Sequence, residues 1–90
     1  MSNQTVQIIY KGQVQGVGFR FTANSIADTV GIAGWVRNLP NGDVEVLAQG
    51  DVHKISEFMQ RIKEQMQSLI CDVEKNDHPY ISGLDDFRIR

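Results

Sequence analysis

A glycine-rich segment with a helix pattern behind it constrains this chain more than any other feature. Residues 12–20 read Gly-Gln-Val-Gln-Gly-Val-Gly-Phe-Arg, with three glycines within seven positions. Glycine tolerates positive φ, and successive amides in such a turn can form an anion-binding concavity next to a helix N-terminus. Arg20 would add a planar set of donors that matches two phosphate oxygens. The segment predicts an oxyanion site, although the glycines alone leave open an ordinary strand-to-helix turn.

Two nucleotide-binding motifs are absent from the sequence, and its net charge disfavours broad binding to anionic partners. A Walker-type loop needs Gly-Lys followed by Ser or Thr, and the sequence contains no Gly-Lys pair. The dinucleotide fingerprint would need a glycine at the position of Phe21. The net charge of −2 also argues against broad binding to nucleic acid or membranes. Any attraction for anions must therefore come from a local site.

Length and cysteine content predict a single cytoplasmic domain. Ninety residues correspond to one domain, spanning 1–90. Cys71 is the only cysteine and can form no internal disulfide, which indicates a reducing compartment. We expect Cys71 to be a small buried residue and not a nucleophile. The first residues carry neither a basic nor an apolar run, so no signal peptide or membrane span is predicted.

Hydrophobic periodicity divides the chain into strands and helices. Alternating apolar residues predict strands, and apolar residues that recur every three or four positions predict helices. Pro40-Asn41-Gly42 predicts a hairpin, and Gly31 and Asp51 are expected to cap helices. The predicted elements are a strand at 5–12, a helix that starts near Phe21 or Thr22, strands at about 32–39 and 44–48, a helix at 51–69, a short strand at 70–74, a loop at 75–84 and an edge strand at 87–90.

This order predicts a ferredoxin-like α+β sandwich of the βαββαβ type. Four main strands form an antiparallel sheet with a short C-terminal edge strand, and two helices cover one face. The crossover through the first helix makes the second strand parallel to the first. Arg37 and Asn38, at the carboxyl end of the second strand, then lie at the same edge as the glycine loop. Ligands commonly collect at such an edge.

The residues near this edge favour chemistry on an activated phosphoryl group. Asn38 could hold a water in line with a bound phosphate, but no base is apparent. His53 and His78 are expected to be exposed, Asp85-Asp86 to be solvated, and no spacing of ligands suggests a metal site. Phosphoryl transfer needs mainly positioning and charge stabilisation. An acyl phosphate, which has a good leaving group, fits this site, and a phosphate monoester fits poorly.

Two blocks of sequence resemble the acylphosphatase family. They are Val14-Gln-Gly-Val-Gly-Phe-Arg20, and Gly34-Trp-Val-Arg-Asn38 with Asn41-Gly-Asp-Val-Glu45 behind it, at the family's spacing. The hairpin has Asn-Gly where many members have Asp-Gly. The resemblance covers essentially the whole chain and implies metal-independent hydrolysis of acyl phosphates to carboxylate and inorganic phosphate, without a cofactor. We expect a monomer that binds phosphate as product and inhibitor.

The resemblance also implies the roles of individual residues. Arg20 would bind the phosphoryl group together with the loop amides, and Asn38 would orient the attacking water. A phosphate oxygen of the substrate would accept the proton of that water. The implied substrate-binding residues are Gln15, Gly16, Val17, Gly18, Phe19 and Arg20, and the implied catalytic residues are Arg20 and Asn38.

Two other functions remain open at this point. Gly-Val-Gly-Phe-Arg-Phe21 faintly resembles the aromatic motif of RNA-recognition domains, but that motif belongs on the third strand. Here the segment lies at the start of the first helix, and the net charge of −2 disfavours the binding of RNA. The second alternative is a non-catalytic anion-binding domain of the same fold, as found at the front of the hydrogenase-maturation carbamoyltransferase. That version is part of a long chain.

Overall fold

The computed structural model describes residues 2–90 and contains five strands and two α-helices. The strands form one sheet in the order β4-β1-β3-β2-β5. The ferredoxin-like sandwich predicted from the sequence is confirmed. In chain order the elements are β1 (Asn3–Gly12), α1 (Phe19–Val30), β2 (Ala33–Asn38), β3 (Val44–Asp51), α2 (Val52–Met66), a 3₁₀ turn (Gln67–Leu69), β4 (Ile70–Asp77) and β5 (Phe87–Ile89).

Apolar residues that alternate along the central strands and recur every three or four positions along the helices form one core. From Val6 to Tyr10 every second residue of β1 is buried, and its partners on β3 are buried with it. The helices add apolar residues spaced three or four apart, which is one face of each helix. The main core residues are Val6, Ile8 and Tyr10 of β1, Val44, Val46 and Ala48 of β3, Ala23, Ile26 and Ala27 of α1, and Ile55, Phe58 and Ile62 of α2.

The sheet topology brings two loops to the same edge. β1 and β2 both pair antiparallel with β3, so they run parallel to each other. Their carboxyl ends, at Gly12 and Asn38, therefore face the same edge of the sheet, as the sequence predicts. The helix caps are also as expected. Gly31 adopts a left-handed conformation after α1, and the Asp51 side chain accepts a hydrogen bond from the His53 amide at 2.9 Å.

The predicted start of α1 and end of β4 are wrong, and the sheet differs from the prediction in the pairing of β5, for reasons that lie in the packing. α1 begins at Phe19 and not at Phe21 or Thr22, because Gly18 is the N-cap. β4 continues to Asp77 instead of ending at residue 74, since it pairs with β1 as far as Val6. β5 pairs with β2 in parallel, so the five-stranded sheet is mixed and only its four main strands are antiparallel.

The prediction that Cys71 is buried is also wrong. Cys71 is exposed, and so is every other residue from 71 to 77. β4 is one of the two edge strands of the sheet, and the helical layer does not cover the side chains of residues 71–77. Across residues 2–90, no helix is long and apolar enough to span a membrane.

Candidate active site

The connection between β1 and α1 is an open loop with two left-handed glycines. Gly16 has φ 76° and Gly18 has φ 79°. A Cβ atom at either position would meet no atom within 4 Å. The backbone conformation, and not crowding, therefore requires glycine at both positions. Val17 lies exposed between them, so the outer surface of the loop is free to receive a ligand.

The N-terminus of α1 opens into this loop without a side-chain cap. The first helical hydrogen bond runs from the Thr22 amide to the Gly18 carbonyl at 3.0 Å, so the amides of Phe19, Arg20 and Phe21 have no partner within the helix. Among residues 2–90 no side chain caps this end, and no acidic residue lies in its first turn. Free amides and the positive end of the helix dipole favour an anion at this position.

Arg20 lies in the first turn of α1 and is anchored to the end of β5. Its Nη1 donates a hydrogen bond to the carbonyl oxygen of Arg90 at 3.0 Å. The Arg90 amide in turn donates to the Val36 carbonyl of β2 at 2.8 Å, and the Arg90 guanidinium lies 4.7 Å from the centroid of the Trp35 ring. A guanidinium has five N–H donors, so this anchor leaves most of them for a ligand.

Gln15 anchors the other end of the loop through its side chain. Its Nε2 donates to the carbonyl oxygens of Leu39 at 2.7 Å and Asp43 at 2.8 Å. Both carbonyls belong to the turn between β2 and β3. Gln15 contacts the residue after Asn38, and Arg20 reaches the strand before Asn38 through Arg90. The two ends of the glycine loop are thus fixed on either side of Asn38.

Strand alternation separates the roles of Asn38 and Arg37. Val36 is fully buried under the helices, and Asn38, two residues further along β2, lies on that same face of the sheet. Arg37 lies on the opposite face, where its Nε is 2.6 Å from Oε1 of Glu45 and its guanidinium is 5.1 Å from the Trp35 centroid. Asn38 therefore shares the face of the glycine loop, and Arg37 is already paired.

The other candidate residues lie away from this edge. His53 and His78 are exposed, as predicted, and Asp86 is paired with Arg88 at 2.9 Å. Within residues 2–90, no group of three or more His, Cys, Asp or Glu could hold a metal ion. Sequence reasoning missed the side chain of Gln15 and the carbonyl of Arg90. No local pattern marks either contact, because the partners are separated by 24 and 70 positions in the chain.

Comparison with known proteins gives matches across nearly the whole chain. The model of the acylphosphatase family matches residues 6–89. An acylphosphatase from Chlorobaculum tepidum is 46% identical over 90 residues, which cover 99% of this chain and 98% of that protein. The crystal structure of acylphosphatase from Bacillus subtilis matches with a TM-score of 0.87 and 31% identity, over 99% of both chains.

A longer protein contains a similar domain. The structure of full-length HypF in its phosphate- and nucleotide-bound form matches with a TM-score of 0.85 and 28% identity. The match covers 99% of this chain and only 12% of that one. The fold therefore also occurs as one part of a much larger polypeptide.

Proposed function

We propose that this chain, which belongs to the acylphosphatase family, hydrolyses acyl phosphates at the glycine loop between β1 and α1. The observation that carries this location is the uncapped N-terminus of α1, with Arg20 in its first turn and Asn38 between the two anchors of the loop. The amides of residues 15–20 and the Arg20 guanidinium bind the oxygens of the phosphoryl group. Amides and guanidinium together neutralise its charge at a preorganised site.

In the proposed mechanism Asn38 positions the attacking water. The water oxygen attacks phosphorus in line with the acyl oxygen, and the bond between phosphorus and that oxygen breaks. The carboxylate leaves with the electron pair, and a nonbridging phosphate oxygen takes the proton of the water. The products are a carboxylate and inorganic phosphate, so atoms and charge balance without a protein base. Asn38 contributes by orienting the water, which lowers the entropic cost of attack.

The leaving group explains why this site favours acyl phosphates. A carboxylate has a conjugate acid with a pKa of about 4 to 5, so it leaves without protonation by the protein. The alkoxide of an alkyl phosphate would need a general acid, and neither His53 nor His78 lies at the loop edge. A loop built from amides and one guanidinium stabilises charge but donates no proton. The substrate class therefore follows from what the site lacks as well as from what it contains.

A non-catalytic anion-binding role is the second candidate. It is favoured by one observation, the match to a small part of HypF, a protein whose structure is described as phosphate-bound. Both roles use the loop amides and Arg20, but only hydrolysis uses a positioned water. An assay for inorganic phosphate released from benzoyl phosphate separates them, because a binding module would bind phosphate and release none.

The oligomeric state and the cellular compartment of the enzyme are two further questions. We propose that it acts as a monomer on small acyl phosphates in the cytoplasm. The support for this compartment is that Cys71 is an exposed free thiol. An exposed thiol persists as such in a reducing compartment. Sedimentation of the purified protein would test the monomer.

Hydrolysis of benzoyl phosphate is expected to proceed unchanged in the presence of a metal chelator. The physical reason is that the proposed site stabilises charge with Arg20 and backbone amides, so it needs no Lewis acid. The initial rate would be measured before and after dialysis against EDTA, with p-nitrophenyl phosphate as the monoester control. A rate that falls on dialysis and returns with magnesium or zinc would contradict the proposal. Comparable rates on the monoester would contradict the assigned substrate class.

Inorganic phosphate is expected to inhibit competitively. The product retains the group that the loop binds, so phosphate and substrate should exclude each other from the same amides. Initial rates at several phosphate concentrations should show a rising KM and an unchanged kcat. A falling kcat at constant KM would place the phosphate at a different site.

A further inference from the structure

The Gln15 side chain joins the glycine loop to the turn between β2 and β3. Its Nε2 donates one hydrogen bond to the Leu39 carbonyl at 2.7 Å and another to the Asp43 carbonyl at 2.8 Å. Both lengths are normal for hydrogen bonds between nitrogen and oxygen. An amide nitrogen carries two N–H groups, so both are used on this turn. One side chain therefore links the loop to the backbone that directly follows Asn38.

The middle of the glycine loop has few other polar contacts. Among residues 2–90, no backbone-to-backbone hydrogen bond involves residues 14–17. Val14 is buried and holds the start of the loop in the core. Gly16 and Gly18 lack the Cβ that restricts the backbone of other residues. We therefore expect the loop to move relative to β2 when the bonds from Gln15 are removed.

The two carbonyls that Gln15 binds belong to a turn that is also held by its own backbone. The Asp43 carbonyl accepts a second hydrogen bond from the Leu39 amide at 2.8 Å. The Leu39 carbonyl accepts a second one from the Gly42 amide at 3.1 Å. Each carbonyl thus keeps one partner when the Gln15 amide is lost. The turn should survive that loss, and what changes is its connection to the loop.

Hydrolysis depends on the separation between the phosphoryl group and the attacking water. In the proposed mechanism the loop amides hold the phosphoryl group, and Asn38 holds the water. A displacement of about 1 Å in such an arrangement can lower a rate by about 10²-fold. The bonds from Gln15 run between the two segments that hold these reactants.

We propose that the Gln15 side chain is a positioning residue for the hydrolysis, because it sets the separation between the glycine loop and Asn38. The inference rests on the proposed function and adds a role of the side chain to that of the Gln15 backbone amide. Both N–H groups of the side chain are engaged by the turn, so neither is free for a phosphate oxygen. Its loss should therefore lower turnover and leave the affinity for phosphate nearly unchanged.

The test compares Gln15→Met with Asn41→Ala. Methionine is unbranched and similar in length to glutamine, but it donates no hydrogen bond. Asn41 supports the same turn through its two bonds to Asp43 and makes no bond to the loop, so Asn41→Ala is the matched control. For each protein, kcat and KM on benzoyl phosphate, the inhibition constant of inorganic phosphate and the Tm would be measured.

We expect Gln15→Met to lower kcat by about tenfold or more and to change the phosphate inhibition constant by less than about twofold. Asn41→Ala should lower the Tm and keep its kcat. A Gln15→Met enzyme with the kcat of the wild type would overturn the proposal. An inhibition constant that weakens in parallel with kcat would also overturn it, because the side chain would then serve the binding of phosphate.

A double-mutant cycle shows whether Gln15 acts through Asn38. In the Asn38→Ala background, Gln15→Met is expected to lower kcat by less than about twofold, since no positioned amide is left to be displaced. The same fold-loss in both backgrounds would mean that the two residues act independently, and it would refute the positioning role.

Gln15→Asn provides a second variant in case Gln15→Met does not fold. It keeps the amide but is one methylene shorter, so it cannot reach both carbonyls from the same backbone position. We expect a similar loss of kcat, and full turnover would overturn the proposal. Failure of the proposed function gives a different result, in which the wild type releases no phosphate from benzoyl phosphate or Asn38→Ala keeps its turnover. Either result would remove the basis of the positioning role as well.

Discussion

Replacing Arg20 by lysine is expected to lower kcat/KM for benzoyl phosphate by about 10²–10³-fold, the scale of losing a preorganised donor of charge stabilisation. Arg20 already uses one N–H on the carbonyl of Arg90, and its planar shape leaves the other donors fixed in direction. Lysine keeps the charge, but its ammonium sits on a flexible stem and cannot present paired donors. Steady-state kinetics on both proteins measures the effect.

Arg61→Lys is the matched control for this substitution. Arg61 lies on α2, is exposed and pairs with Glu57 at 2.7 Å, so its change to lysine keeps charge and exposure away from the loop. We expect full activity from Arg61→Lys. An Arg20→Lys enzyme as active as this control would make the guanidinium of Arg20 dispensable and would defeat the assignment.

Thermal melts separate a lost site from a lost fold. The Arg20 to Arg90 bond is exposed, and its loss should cost no more than about 1 kcal/mol of unfolding free energy. Added phosphate should raise the Tm of the wild type by mass action and barely move that of Arg20→Lys. A variant that is unfolded at room temperature would instead make Arg20 a structural residue.

The fold could be predicted because its signals are local in the sequence. The alternation of Val6, Ile8 and Tyr10 and the periodic apolar residues of both helices are each readable within a short window. The order of elements then limits the topology to few choices, since the crossover through α1 must be right-handed. The juxtaposition of the glycine loop and the end of β2 follows from that topology without any long-range contact being known.

The start of α1 has a local signal in the sequence. Phe19, Ala23 and Ile26 are all buried and stand at spacings of four and three, so the apolar stripe already begins at Phe19. Phe21 is aromatic, so in the sequence it looks like the first core residue of the helix. In the structure it is exposed and lies off the apolar stripe. The consequence is functional. Arg20 lies within the helix and not in front of it, so the helix geometry fixes its direction.

Other features could not be read from the sequence at all. The bonds from Gln15 to Leu39 and from Arg20 to Arg90 join distant segments, and a glutamine or a backbone carbonyl carries no sequence signature of such a bond. The exposure of Cys71 depends on the place of β4 at the edge of the sheet next to β1, where the helices do not cover it. That position is a property of the sheet order, whereas burial propensity describes a residue type on average.

Asn38→Ala is expected to lower kcat by about 10²-fold or more while KM and phosphate inhibition stay close to those of the wild type. Asn38 is assigned to the water and not to the phosphoryl group, so its loss should affect the transition state more than binding. Its position supports this, because it shares a sheet face with the loop and is flanked by the two anchors at Leu39 and Val36. Steady-state kinetics with and without phosphate measures kcat, KM and the strength of phosphate inhibition.

Asn41→Ala distinguishes a catalytic amide from a turn residue. The Asn41 side chain accepts a hydrogen bond from the Asp43 amide at 3.0 Å and donates to the Asp43 carboxylate at 3.1 Å, so it stabilises the hairpin turn. Its loss should cost about 0.5–1.5 kcal/mol of unfolding free energy and leave kcat unchanged. Asn38→Ala should show the reverse, with a nearly unchanged Tm. If Asn38→Ala lowers the Tm and retains its turnover, Asn38 is a second turn residue and the water must be positioned by another group.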